Sequence, residues 1–467
     1  MRLNFAVIFL YVIINSAISQ VAQISNVTPR SDDSGKIVDA HDGRVIKFGE
    51  KFYWYGTQYS NTNGFTIANK YVAYSSTDMM NWKLEGDLLK DAPEGIHYRP
   101  HVIYNKQTKQ YVLWYNWYPK LWDGQFGVAV SKTPEGPFKI VNPDTKVSKS
   151  EIGVGDLGLF VDEDNIAYIS YNSIQNHQLV VERLNSSYTK STMETSNIIA
   201  EHVEAGSMFK REGLYYLLTD YTCCFCNYGS GARVYTAKDP LGPYKFSSNI
   251  NRFPGKYAPE LTDGMKNINL TYRLKKENGL IIENISNAPI STVQIQVFTG
   301  NRNGLCGAVD SAWVHPPITI PEFSFSANGI EVNPTNRVIK KIGLRNILTF
   351  EFDSFNALNL ELKVSSYSYD QLSLLEVEIN KGQSKIMVFE SGEGIGKQPI
   401  IPAQQSYVME LPTKNGIQYI WMGDLWGSAN DNIKGHDFQY WSAPLQFNED
   451  GSIQRMQWVD EWEVELK

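Results

Sequence analysis

His41-Asp42-Gly43-Arg44-Val45-Ile46-Lys47-Phe48-Gly49-Glu50-Lys51-Phe52-Tyr53-Trp54-Tyr55-Gly56 is the stretch that decides the fold. It reads as a strand opening on an acidic residue, a tight turn at Gly49 and a second, aromatic strand. Alternating apolar positions on both sides of a Gly-containing turn signal a β-hairpin. Tyr71-Val72-Ala73-Tyr74 and the segment around Trp82 supply a third and a fourth strand.

The same phrase returns four times. A second unit opens at Arg99-Pro100-His101-Val102-Ile103-Tyr104, a third at Gly155-Asp156-Leu157-Gly158-Leu159-Phe160, a fourth at Glu204-Ala205-Gly206-Ser207-Met208-Phe209 and a fifth at Gln404-Gln405-Ser406-Tyr407. The fifth continues through Gln418-Tyr419-Ile420-Trp421 and Tyr440-Trp441 to a last strand expected around Trp458. Between equivalent aromatics Phe52, Tyr111, Tyr168, Tyr216 and Tyr419 the steps are 59, 57, 48 and 203 residues. Four-stranded units at this spacing cannot bury both faces alone, and they pack radially as blades. The fold class is therefore all-β, a five-bladed β-propeller.

The long last step keeps strand patterning, as in Leu358-Asn359-Leu360-Glu361-Leu362, but loses the Tyr- and Trp-rich phrase. It is expected to be a β-sandwich inserted between blades four and five. The expected organisation is a signal peptide over 1–19, blades one to four over 20–255, the inserted domain over 256–398, and blade five with closure over 399–467.

Bulk properties agree. The 27 Tyr and 11 Trp favour strands. A net charge of −7 with no basic block argues against nucleic acid and membrane partners. Residues 1–19 combine Arg2, the apolar run Phe5 to Ile14, and small Ala17 and Ser19, which reads as a secretory signal too short to span a bilayer. The expected product is secreted or extracellular, periplasmic or cell-surface in a bacterium, and monomeric. In an oxidising compartment Cys223, Cys224, Cys226 and Cys306 are expected in disulfides of open connectivity. Sequons stand at Asn26, Asn185, Asn269 and Asn284.

First strands of propeller blades line the central channel, so Asp42, Arg99, Asp156, Glu204 and Gln404 converge at one mouth. Gathering three carboxylates is costly, because like charges repel and shift one another's pKa. Turn chemistry explains an Asp beside a Gly in one blade but does not require recurrence at one place in every blade. Glycosidic hydrolysis does need such a set: a protonated acid for the leaving oxygen, an ionised base for water, and a neighbour that keeps the acid protonated. Sugar-stacking aromatics are expected from Trp54, Tyr59, Trp114, Trp117 and Trp122, with His41 and His101 bonding hydroxyls; the binding set is His41, Trp54, Arg99, His101, Trp114, Trp117, Gln404, Asp424 and Trp426.

These residues resemble glycoside hydrolase family 43, whose five-bladed propellers hydrolyse arabinose-, xylose- and galactose-containing polysaccharides by inversion. The resemblance covers 38–250 and 400–462. It implies Asp42, ahead of Gly49 and Phe52-Tyr53, as base; Asp156 as pKa modulator; and Glu204 as general acid. Ala40-His41, Tyr53-Trp54-Tyr55-Gly56, Arg99-Pro100, the Gln404 region and Met422-Gly423-Asp424-Leu425-Trp426 look most like the exo-β-1,3-galactanase branch. Two positions depart from that branch: Asp42 replaces a Gly that leaves a Gln to assist water, and Tyr98 replaces a Glu. The expected function is an inverting exo-glycosidase of galactan or arabinogalactan type, galactanase, galactosidase or arabinofuranosidase, acting on a polysaccharide or oligosaccharide. No cofactor is expected and no specific metal cluster is present, although the resemblance implies a Ca2+ held through water in the channel. Two other classes stay open: a silent carbohydrate-binding propeller, and a retaining fructan-active hydrolase, whose Asn-Asp-Pro-Asn type opening is missing here.

Overall fold

The computed structural model describes residues 21–222, 225, 231–252, 261, 272–275, 279–298, 320–342, 345–367, 371–381, 385–389, 399–429, 431 and 433–467. The four cysteines apart, which all lie outside these residues as does the 1–19 segment, most of the sequence argument can be followed through the structure.

Four antiparallel sheets of four strands follow one another in chain order, each with its strands in sequence order. Their first strands are His41–Phe48, Ile96–Asn105, Val154–Val161 and Val203–Arg211. The quoted hairpin pairs Phe48 with Lys51 around a turn in which Gly49 has a φ of +60°, a backbone region that costs glycine nothing. A fifth sheet has three strands, Gln404–Thr413, Gly416–Leu425 and Phe438–Trp441.

The fourth strand expected near Trp458 is not in that sheet. Glu461–Glu465 instead pairs with the N-terminal strand Val21–Ser25, Val21 opposite Glu465. The physical reason lies in Asn26, whose side chain occupies the free backbone of the third strand: its Oδ1 accepts from Trp441 N at 2.9 Å and its Nδ2 donates to Trp441 O at 2.9 Å. Asn26 is thus fully buried and is not a surface sequon. Asn284 is also buried, its amide donating to Ala288 O at 2.7 Å.

Because side chains alternate across a strand, each blade presents one apolar face to each neighbour. Five apolar clusters result, one per blade boundary. Tyr53, Tyr55 and Tyr71 meet Val102, Leu113 and Tyr115 between blades one and two. Trp114 and Phe126 meet Leu159 and Tyr171 between two and three. Phe160 and Leu179 meet Met208 and Tyr215 between three and four. Phe209 and Tyr216 meet Tyr419 and Trp421 between four and five. Trp54 and Tyr74 meet Tyr407 and Trp441 between five and one, where Ala22, Ile24, Trp462 and Val464 of the closing pair are also packed. The ring therefore closes on itself.

After blade four, Asn251 grips the returning chain: its Oδ1 accepts from Ile401 N at 2.8 Å and its Nδ2 donates to Ile401 O at 2.9 Å. Strands between these ends form two five-stranded antiparallel sheets, one centred on Ile290–Phe298 and the other on Asn359–Ser366. Buried residues of both, such as Ile295, Leu348 and Phe350 with Leu280, Phe325 and Leu362, share one apolar cluster.

Closure by the terminal strands should be measurable as stability. Ile24→Ala removes a side chain that is 1% exposed and is expected to cost ~2–4 kcal/mol, read as a lower denaturation midpoint at unchanged slope; an unchanged midpoint would show that the ring holds without this strand.

Candidate active site

Every first strand carries a one-residue β-bulge at its opening end. In blade one the register jumps between His41 and Arg44, in blade two between Tyr98 and His101, in blade three between Val154 and Leu157, in blade four between Glu204 and Ser207, and in blade five between Gln405 and Tyr407. A bulge re-aims the side chains beside it. Asp42, Arg99 and Ala205 adopt left-handed backbone at φ of 55°, 53° and 56°. Gly43 has no room for a side chain, since a Cβ there would lie 1.9 Å from Tyr55 O. The bulges turn Asp42, Arg99, Asp156, Glu204 and Gln404 into one pocket, so all five blades contribute to its wall.

The pocket has an empty volume of about 480 Å3 counted to its open mouth. Its floor is charged. Arg99 is 2% exposed; its Nη2 lies 2.9 Å from Asp156 Oδ2, and it donates to Ser406 O at 3.1 Å and Gln405 O at 3.2 Å. Asp156, Asp42 and Glu204 surround this guanidinium and push its pKa up despite burial. Burial raises the Asp42 carboxyl to about 6, against the pull of Arg99 and of the Tyr59 hydroxyl, which donates to Asp42 Oδ2.

Glu204 is set by an amide of defined orientation. Trp426 Nε1 donates to Gln404 Oε1 at 2.6 Å, and Gln404 Nε2 donates to Glu204 Oε1 at 2.6 Å. An indole N–H can only donate, so the Gln404 oxygen faces Trp426 and its NH2 faces the carboxyl. Glu204 Oε1 is therefore an acceptor.

Three residues of the expected binding set lie beneath the pocket rather than in its lining. His41 Nδ1 lies 2.9 Å from Asp424 Oδ1, while Asp424 Oδ2 accepts from Asp42 N at 2.9 Å. Burial opposes charge on His41, but Asp424 and Asp39 outweigh it and raise its pKa to about 9. The ring stacks under Tyr59 at 5.5 Å and beside Trp426 at 5.1 Å. Asp424 and Trp426 thus hold Asp42 and Gln404 in place.

Four others are placed elsewhere. Trp54 and Trp114 sit in blade boundaries, the latter donating to Tyr188 O at 2.7 Å. Trp117 packs against the boundary of blades one and two and donates to Pro143 O at 2.8 Å. All three lie within second strands, whose side chains point at neighbouring blades. His101 is buried edge-on to Tyr407 at 5.3 Å, and burial together with Arg44 and Arg99 drives its pKa well below the usual histidine range. Buried and under the charge of Arg44 and Arg99, His101 offers no anionic ligand to the Ca2+ that the resemblance implies. Among the described residues no group of three or more His, Cys, Asp or Glu could hold a metal ion.

The apolar wall comes instead from Tyr59 and Phe65 of blade one, Tyr98, Tyr118, Leu121 and Trp122 of blade two, and Phe225 of blade four. Of these, Tyr59 and Trp122 were expected; the others were not. The signal was topological: the connection between second and third strands returns to the end where the first strand begins. Tyr59, Phe225 and Trp426 form a small cluster there, with Phe65 and Tyr98 against it. Buried Asp220, opposite Glu204 in register, was also missed; its Oδ2 accepts from Gln405 N at 2.8 Å and so fixes the fifth bulge.

An acidic axial pocket of this kind suits glycosidic hydrolysis. Residues 36–253, just under half of the chain, match the family model "Glycosyl hydrolases family 43". The fold is shared with solved structures at low identity. An exo-β-1,3-galactanase from Clostridium thermocellum superposes with a TM-score of 0.56 at 18% identity, covering 95% of this chain and 67% of that one. A family 43 β-1,3-galactosidase solved with galactodeoxynojirimycin gives 0.54 at 20% identity, covering 94% and 99%. A second β-1,3-galactosidase gives 0.54 at 19%, covering 95% and 64%. No curated protein sequence matches the chain.

The Asp42 shift carries a stability cost of known sign. An unfolded Asp titrates near 3.9, so forming the carboxylate penalises the folded state as pH rises from about 4, fully so above about 6. Asp42→Asn, which tolerates the left-handed backbone, is expected to raise stability at pH 7.5 by up to ~3 kcal/mol and to gain nothing at pH 4. Thermal melts at both pH values test this, and equal effects at both would refute it.

Proposed function

We propose that this protein is a secreted, inverting exo-glycosidase that removes galactose from the ends of β-1,3-linked galactan or arabinogalactan chains. The observation that carries the reading is the pocket walled by all five blades, with Glu204, Asp42 and Asp156 on one floor. A pocket at the convergence of the blades, with an apolar wall from blades one, two and four, suits the end of a chain. The printed activities of the solved galactanase and galactosidases, and the export-like residues 1–19, support the sugar and the compartment.

In this reading Glu204 protonates the glycosidic oxygen. Gln404 holds Oε1 as an acceptor, so the transferable proton sits on Oε2. As that proton leaves, the Gln404 N–H stabilises the carboxylate being formed, an interaction that strengthens in the transition state. Asp42 takes a proton from water on the opposite face of the sugar. Arg99 holds Asp156 by an ion pair at 2.9 Å within the same pocket. Gln404 is engaged at both ends of its amide, by Trp426 and by Glu204, so the base role falls to Asp42 and not to a glutamine.

Glu204→Gln is expected to lower kcat on β-1,3-galactooligosaccharides by ~10²–10⁴-fold with an unchanged melting temperature, and NMR of wild-type digests to show the inverted anomer first. Retained anomers or wild-type turnover in the variant would overturn the assignment. The acidic limb of kcat/KM is expected near pH 6, where Asp42 ionises. Tyr59→Phe removes a hydrogen bond that favours the charged form and should move that limb to higher pH; a shift to lower pH would exclude Asp42 as the titrating base.

A further inference from the structure

We propose that Trp122 is the platform for the neutral sugar on the leaving-group side of the scissile bond, so that it selects chains over single glycosides; the proposal rests on the glycosidase reading of the pocket. Trp122 is the exposed tryptophan among the described residues, at 45%, whereas Trp54, Trp82, Trp114, Trp421, Trp426 and Trp441 are all 2% exposed or less. Leaving an indole in water forfeits the burial that stabilises the others.

The residue is also held in place at a cost. Its φ is +71°, a left-handed conformation that bulky residues seldom adopt. The loop is pinned on both sides: Asp123 N donates to Lys120 O at 3.0 Å, and Val154 N of blade three donates to Gly124 O at 3.2 Å. Gly124 permits that close approach, since a Cβ there would lie 1.8 Å from Val154 O. An exposed, strained and anchored indole is poorly explained by packing.

Its position supplies the use. The pocket runs from a charged floor, where Asp42, Arg99, Glu204 and Gln404 are each 6% exposed or less, to a rim where Trp122 stands. The sugar to be cleaved must reach the carboxyls, so the unit it is attached to is left at the rim. Above the floor the described lining residues are Tyr59, Phe65, Tyr98, Tyr118, Leu121, Trp122 and Phe225, none of them charged. Pyranose rings present a C–H face that packs on an indole, and a neutral hexose needs no charged partner.

The test compares two leaving groups on the same cleaved sugar. β-1,3-Galactotriose leaves a disaccharide that would lie on Trp122, whereas β-galactosyl fluoride leaves only fluoride and has nothing to stack. For Trp122→Ala, the ratio of kcat/KM on the trisaccharide to kcat/KM on the fluoride is expected to fall about fivefold or more, with Trp122→Phe falling between Ala and wild type. A smaller change in the ratio, whether both rates persist or both fall together, would overturn the proposal, because a folding defect or a role at the floor lowers both. Wild-type protein that hydrolyses neither substrate nor any aryl glycoside would instead overturn the glycosidase reading. If wild type releases another sugar, the same ratio is read on that sugar's oligomers and fluoride.

Discussion

One residue too many at the opening of each first strand is the constraint on which this molecule depends. A strand with perfect register would send alternate side chains into the two blade boundaries and leave nothing aimed along the axis. The bulges at Asp42-Gly43, Arg99-Pro100, Gly155-Asp156, Ala205-Gly206 and Ser406 break that alternation once per blade. The price is left-handed backbone at Asp42, Arg99 and Ala205, which only a rigid surround can sustain. That surround is the ring of five apolar boundaries.

The bulges also explain the layering of polar groups. Each unpaired backbone group near a bulge needs a partner, and buried side chains of other blades supply it: Asp424 of the adjacent blade for Asp42 N, Asp220 of the adjacent blade for Gln405 N, and Arg99, reaching across the axis from blade two, for the carbonyls of Gln405 and Ser406. Unsatisfied polar groups in such a place would be expensive. Ionisable residues beneath the pocket are thus structural first, and their charges then set the field that Asp42 and Arg99 feel. His41, its pKa raised against burial to about 9 by Asp424 and Asp39, offsets the charge of Asp424, which acts to raise that of the Asp42 carboxyl.

The hairpin at 41–56 was legible because strand period and turn glycine are local signals, and the five acidic or polar openings were legible because they recur. The fate of Trp54 and Trp114 was harder to read: an aromatic suits a blade boundary and a sugar site equally well, and only its place in the middle of a second strand separates the two. Phe65, Tyr118 and Phe225 were hidden because the loops that carry them share neither length nor sequence between blades. The fourth strand of blade five failed as an expectation because a side chain, Asn26, replaced a backbone ladder, and no propensity scale registers such a substitution. Asp220 left no signal at all.

The seam between Val21–Ser25 and Glu461–Glu465 has a consequence for how the protein comes into being. Asp42, the proposed base, belongs to the first blade made, while Asp424, Gln404 and Trp426, which orient it and Glu204, the proposed acid, belong to the last. During synthesis the early blades wait, with the outer faces of blades one and four open to water, until more than four hundred residues have emerged. The complete pocket is therefore a property of the finished circle: the same closure that locks the propeller also completes its polar floor, and a ribosome-bound fragment, however well folded its first four blades, carries Glu204 without Gln404.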